Sequence, residues 1–303
     1  MGMRLVDLFA GCGGMSLGFQ NAGFEMVAAY DNWQAAIDIY SANFTHPIHK
    51  RDLAREDITS ELKALNLDII VGGPPCQDFS IAGKMDLTGK RANLTRVYSE
   101  IIAEVHPEWF VMENVCSIER SPVFHEAVGN FRRAGYGLTR HVWDASYMGV
   151  PQMRKRYFVI GRLGEDDDFI LQPMLDQLSD ERMTVRKYLA KSPLDVDYIY
   201  QHPRNYQRRG IFSVDEPCST IRSVNRPIPS NYAIHAADKT SNLTKVRPLS
   251  TKERSYMQTF PDDFNFIGTT PVIEQAIGNA VPVKMAEFVA KSIMQYAGEN
   301  RLR

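Results

Sequence analysis

The stretch Gly72-Gly73-Pro74-Pro75-Cys76-Gln77 puts a lone thiol just behind a short apolar run, Leu67-Asp68-Ile69-Ile70-Val71, that reads as a buried strand ending in a turn. Two glycines let the backbone turn sharply and two prolines stiffen it. Open α/β sheets bind ligands at the carboxyl ends of their strands, so Cys76 is a candidate nucleophile. A second apolar run, Pro107-Glu108-Trp109-Phe110-Val111-Met112, ends in Glu113 at the same sheet edge. Such a glutamate is a solvated surface group on its own and a candidate acid beside a thiol. Arg154 and Arg156, two apart in a strand-like stretch, would share a face. There they fit either a solvated strand edge or a cation source that lowers a thiol's pKa. Upstream, Arg4-Leu5-Val6-Asp7-Leu8-Phe9 followed by Ala10-Gly11-Cys12-Gly13-Gly14 reads as strand, glycine turn, helix. That turn lets a ligand approach backbone at a helix N-terminus. Asp31, ending the run Met26–Tyr30, could take ribose hydroxyls, and Trp33 could stack on an adenine; a plain tight βα turn fits the same residues. The spacing is not GxGxxG and no Walker lysine follows, which weighs against a dinucleotide or ATP.

The elements that must position these groups alternate regularly as far as Gly161. Strands are expected over 4–9, 26–30, 68–71, 109–113, 136–143 and 156–161, with helices over 14–22, 33–43, 94–105 and 122–134. This alternation predicts an α/β fold, a Rossmann-like mostly parallel sheet with helices on both faces. From Gly164 to Thr270 the pattern breaks into Pro-, Asn-, Ser- and Arg-rich sequence, read as a second, smaller, irregular domain. Helical periodicity returns over Val283–Met294, whose apolar stripe would pack back on the sheet.

DLFAGCGGMSLGF, GGPPCQDFS and ENV, in that order, resemble motifs I, IV and VI of the cytosine-C5 DNA methyltransferases. Gln152–Tyr157 is similar to motif VIII, Arg247–Phe264 to motif IX and Gln275–Pro282 to motif X, so the resemblance spans about residues 4 to 293. It implies methyl transfer from S-adenosylmethionine to C5 of cytosine in a short specific site of double-stranded DNA. In that scheme Cys76 adds to C6, Glu113 holds N3 and the N4 amino group, and Arg154 and Arg156 supply positive charge. The target base must leave the helix. The resemblance assigns Phe9, Gly11, Gly13 and Gly14 to the donor's methionine side, Asp31 to its ribose, and Trp33, Asp52 and Leu53 to its adenine. Pro74, Asn279 and Val281 complete the donor set. Gln77, Ser80, Lys84 and Arg91 belong to a loop, 77–93, suited to closing over the extruded base. Thr220-Ile221 matches the Thr-aliphatic pair near the target. Arg222 and Arg226, with Arg208, Arg209, Asn225 and Asn231, are candidates for base edges. Residues 1–164 with 271–303 are then the catalytic and donor-binding domain, and 165–270 the target-recognition domain, with DNA in the cleft between.

Net charge is −1, and Arg and Lys are concentrated instead: residues 182–254 hold 14 of them against 6 acids, an excess that shrinks once the acidic run 165–168 is included. Beside a catalytic domain that extrudes bases, this stretch reads as a DNA face. Cys12, Cys76, Cys116 and Cys218 are scattered without a CxxC or His cluster, so no metal and no disulfide is expected. No apolar run reaches membrane-spanning length, and the first strand leaves no room for a leader, so a cytoplasmic chain is expected; the resemblance implies a prokaryotic enzyme, expected to be a monomer. A cognate restriction endonuclease would act on the same site without direct contact. A tRNA-cytosine methyltransferase shares these motifs, but the Cys-Phe-Thr signature usual before motif IX in that branch is absent. A cysteine hydrolase would need a paired His, and His106, His125 and His141 lack that context. A non-catalytic regulator on this fold would not keep Cys76, Glu113, Arg154 and Arg156 together.

Overall fold

The computed structural model describes residues 2–75, 94–205 and 207–300. Its central sheet contains β1 (Arg4–Leu8), β2 (Glu25–Asp31), β3 (Ile48–Lys50), β4 (Ile69–Gly72), β5 (Trp109–Asn114), β6 (Tyr136–Asp144) and, after the short β7 (Gln152–Met153), β8 (Lys155–Leu163). The strand order is β3-β2-β1-β4-β5-β8-β6. The first five strands pair in parallel; β8 runs antiparallel between β5 and β6.

These strands alternate strictly between two cores, as period-two side chains buried on both faces must. Leu5, Ile69, Val71, Trp109, Val111, Phe158 and Ile160 face one core. Val6, Leu8, Ile70, Phe110, Met112 and Val159 face the other. The first face is covered by α1 (Gly14–Asn21) and by residues of a C-terminal helix, 283–300. After α2 (Gln34–Ser41), the second face is covered by α3 (Thr59–Ala64), α4 (Leu94–Val105) and α5 (Pro122–Arg133). In α4 the buried Leu94, Tyr98, Ile101 and Ile102 recur at helical spacing. In α5, Pro122 stands in the first turn, where its missing N–H costs nothing. Phe110 stacks on Phe131 at 4.2 Å between ring centroids. Its ring fills the place of a side chain at Gly161: a Cβ there would lie 2.0 Å from it, so Gly161→Ala would break this packing. Strand β3 and helix α3 were not expected, because three residues and a six-residue polar helix carry too short a pattern to read.

Further along come α6 (Leu171–Leu175), α7 (Val185–Tyr188), β9 (Tyr198–Tyr200), β10 (Ile211–Ser213), β11 (Cys218–Ser219), β12 (Val246–Pro248), α8 (Thr251–Met257), α9 (Thr270–Asn279) and α10 (Val283–Asn300). Strands β10-β9-β12 form a small sheet, and β11 pairs in parallel with β7. A separate apolar cluster centred on Val185, Ile199, Phe212, Ile221, Leu249 and Ile277 lies under it. Packing draws the seam differently from composition: Ile170 and Met174 sit in the first core of the large sheet. Phe260 and Phe264 pack with Ala10, Cys12 and Tyr40. Helix α8 opens with a capping box between Ser250 and Glu253. Arg247 pairs with Glu253 and Asp195 across that corner. Among the described residues, no helix is long and apolar enough to cross a membrane.

Candidate active site

The carboxyl ends of β1, β2, β4 and β5 converge on one cavity of about 680 Å³. After β1 the chain turns through left-handed backbone at Phe9 (φ 62°), Gly11 (φ 55°) and Gly13 (φ 95°) into α1. Phe9 is not a glycine, and a bulky residue held in this region marks strain of the kind that gathers at ligand sites. The turn is fastened by Asp31: its Oδ2 accepts from the Gly11 N–H at 2.8 Å and its Oδ1 from the Trp33 N–H at 2.8 Å. A Cβ at Gly11 would meet nothing within 4 Å, so the backbone here is open to a ligand. At Gly13 a Cβ would collide with the Phe44 ring at 2.4 Å, so this glycine faces α2 and not the cavity. Burial raises the Asp31 carboxyl above its ordinary range.

Asp7 lies in mid-strand and 1% exposed, yet it lines the cavity. One carboxylate oxygen accepts from the Ser16 hydroxyl at 2.6 Å; the other, Oδ1, has no partner among the described residues. Burial lifts its pKa to about 7. The Ser16 hydroxyl in turn accepts from Tyr40 at 2.9 Å.

Glu113 stands one residue before the end of β5 and forms an ion pair with Arg156 of β8, Nε to Oε1, at 2.8 Å. Burial raises its pKa, with Arg156 and then Arg154 opposing. The segment that leads into residue 76 is close by. A Cβ at Gly73 would lie 3.2 Å from Glu113 Oε2, and Asn114 Nδ2 donates to the Pro74 carbonyl at 2.9 Å. Gly73, Pro74 and Pro75 all line the cavity.

Arg154 does not share a strand face with Arg156, contrary to the expectation from spacing. Its N–H turns back to the Gln152 carbonyl at 3.0 Å, which interrupts the strand between β7 and β8. The guanidinium is 1% exposed. It donates to the carbonyls of Ile221 at 2.9 Å, Gly278 at 3.2 Å and Ala280 at 2.9 Å. Its Nε–H has no partner among the described residues. Burial, then the charge of Arg156, pulls its pKa well below the usual arginine value.

The C-5 cytosine-specific DNA methylase family model matches residues 3–295. The chain belongs to that family. It is 52% identical over 299 residues to the Type II methyltransferase M.HindV of Haemophilus influenzae, covering 98% of each chain. It is 51% identical over 302 residues to the Type II methyltransferase M.HgiDI of Herpetosiphon aurantiacus, covering 99% of this chain and 97% of the relative. The solved structure of the S. pombe Dnmt2 methyltransferase matches with a TM-score of 0.73 at 17% identity, over 98% of this chain and 99% of that one, a likeness of fold.

In this DNA methylase the cavity brings together Phe9, Gly11, Gly14, Asp31, Trp33, Asp52, Leu53, Pro74, Glu113, Arg154, Arg156, Asn279 and Val281. Gly13 packs behind it. Thr220, Arg222 and Arg226 do not line it. Thr220 is taken up in the seam, its hydroxyl donating to the Met153 carbonyl at 2.7 Å. Arg222 is half-buried, and one of its Nη atoms donates to the His202 carbonyl. Arg226 is exposed. Cys76, Gln77, Ser80, Lys84 and Arg91 lie outside the described residues. The methylase also lines its cavity with Asp7 and Arg204, which the sequence reading passed over. Asp7 had a signal: an acid in mid-strand among residues that face a core. Arg204 had none, since its loop carries no pattern.

Proposed function

We propose that this DNA cytosine-5 methyltransferase carries a methyl group from S-adenosylmethionine to C5 of a cytosine extruded from a short specific duplex site, through a covalent bond between Cys76 and C6. The observation that carries the reading is the Glu113–Arg156 pair at 2.8 Å, beside the Gly73–Pro75 segment that leads into Cys76. Burial that raises the Glu113 pKa favours its protonated form, as a proton donor to the base requires.

The glycine turn suits the donor. Gly11 leaves open backbone, Asp31 offers a fastened carboxylate for ribose hydroxyls, and Trp33, Asp52 and Leu53 stand together for the adenine. The orphaned Oδ1 of Asp7 suits a cationic ammonium, which would also draw off its proton. The donor supplies an electrophilic methyl when bound. The rest belongs to the chain. The Cys76 thiolate adds to C6, and the displaced electron pair reaches N3, which Glu113 protonates. C5 is then nucleophilic. Loss of the C5 proton to a base restores the C5–C6 double bond and expels Cys76, and the N3 proton returns to Glu113. The Nε–H of Arg154, without a partner among the described residues, suits the ring carbonyl of the base. Residues 77–93 would close over the site, and 165–270 would read the sequence. The likeness to Type II methyltransferases supports a place in a restriction–modification system, where methylation shields sites from a cognate endonuclease.

Bisulfite sequencing of DNA from cells expressing the protein identifies the site. Duplex carrying 5-fluorocytosine there should trap the protein, since fluorine cannot leave as a proton and elimination stalls. Cys76→Ala should form no adduct and transfer no methyl while keeping donor affinity. Methylation by that variant, or no adduct with wild type at a site proven to be methylated, overturns covalent catalysis.

A further inference from the structure

Val224 is 57% exposed, the most exposed of the large apolar side chains that stand out on the described surface. A single exposed valine needs no explanation in itself. What sets this one apart is its mounting. On its N-terminal side the chain is fixed to the cavity wall. Ile221 receives Arg154 at its carbonyl, and its N–H donates to Gln152 Oε1 at 3.0 Å. The Ser223 hydroxyl donates to Asn279 Oδ1 at 3.0 Å. A Cβ at Gly278 would lie 2.2 Å from the Ser223 nitrogen, so the two backbones are in direct contact. On its C-terminal side Asn225 Nδ2 donates to the Leu249 carbonyl at 2.7 Å. Arg154, Gly278 and Asn279 line the cavity, so Val224 is held at its rim.

Cations outnumber acids about this stretch: Arg222 and Arg226 flank Val224 in sequence, and Arg254, which donates to the Arg222 carbonyl, is paired with Glu274. Arg204 and Arg226 form no ion pair with any described acid, and their fields, with that of Arg254, help depress the Arg222 pKa after burial. An apolar side chain on fixed backbone, with Arg226 two residues on and Arg204 lining the neighbouring cavity, complements a nucleic-acid duplex: phosphates outside, stacked bases within. Because the backbone is already fixed, little ordering entropy opposes its insertion.

We propose that Val224 is the wedge of this methyltransferase: it presses against the bases beside the target and supports the stack when the cytosine leaves. This rests on the reading above, in which the cytosine of a duplex is extruded.

The test compares kcat/KM on two duplexes that carry the mapped site. In one the target cytosine is paired with guanine; in the other it stands opposite an abasic position and needs little help to leave. Val224→Ser should lower the value on the paired duplex about tenfold, the loss that goes with an unburied valine side chain, and leave the abasic duplex within about twofold. Val224→Ile should restore the paired rate. The exposed position predicts an unchanged melting temperature for both variants. An equal loss on both duplexes overturns the wedge. So does a changed cognate-to-mismatch ratio with no dependence on pairing, which would make Val224 a reader of base edges. No methyl transfer by wild type to either duplex, and no 5-fluorocytosine adduct, would remove the reading underneath and the wedge with it.

Discussion

The two walls of the cavity are built in opposite ways. One consists of strand ends. Asp31, Gly73 and Glu113 each stand at the last residue of a parallel strand or next to it, and the ladder beneath fixes their spacing. The other wall, residues 278–281 with residues 220–223 packed behind them, is mostly irregular chain. It is sewn in place by side chains: Gln152 donates to the Met257 carbonyl at 2.6 Å and to Gln258 Oε1 at 2.7 Å, while Arg154 reaches three carbonyls on the two segments. A stiff wall can hold an acid to within a fraction of an ångström of its task. A sewn wall tolerates change at the residues between its stitches, which suits a surface whose sequence preference must vary. On the proposed reading, chemistry and specificity would fall to different kinds of construction.

That division predicts separable failures. Glu113→Gln should cut kcat by about 10²- to 10⁴-fold, the usual worth of a positioned acid, with stability and the cognate-to-mismatch ratio unchanged. A loss below tenfold in single-turnover methylation would remove Glu113 from the chemistry. Next in size is Asp7, on the stiff wall. Its folded pKa of about 7 stands above the 3.8 of the ordinary carboxyl. The folded state therefore holds this proton more tightly, and the associated stability is present below about pH 4 and lost as pH rises through 7. Asp7→Asn should be free of that loss. In donor-free urea titrations it should gain on wild type between pH 4 and pH 8 by up to about 4 kcal/mol, at about 1.4 kcal/mol per pH unit. Parallel pH profiles for the two proteins would show that Asp7 is not held protonated. The sewn wall gives the smallest effect. Arg154→Ala leaves buried carbonyls without their charged donor and should cost about 3 kcal/mol in urea unfolding. It should also loosen sequence discrimination, whereas Arg156→Ala should leave discrimination intact. If both variants discriminate as wild type does, the stitches do not set specificity.

Much of the stiff wall was legible in the sequence because its logic is local. A period-two apolar run, a Gly or Pro turn and a polar residue at the end place Glu113 and Asp31 without knowledge of anything distant. The sheet itself followed from the same alternation, and the reversed β8 did not, since strand direction leaves no mark on composition. Arg154 shows where local reasoning fails. Spacing put it on the same strand face as Arg156, and only the carbonyls of Ile221, Gly278 and Ala280, 67 to 126 residues away, turn it inward. Gly13 failed likewise: its place in the glycine turn was readable, but the Phe44 ring that fills its far side comes from beyond α2. Arg222 and Val224 are the remaining case. Two residues apart in one irregular stretch, one donates to the His202 carbonyl and the other is left at the rim. The sequence by itself determined which residue types stand at strand ends, because strand, turn and helix are short-range consequences of side-chain chemistry. Which side chains meet across the cavity was decided by tertiary structure alone, because those hydrogen bonds join segments with no shared periodicity.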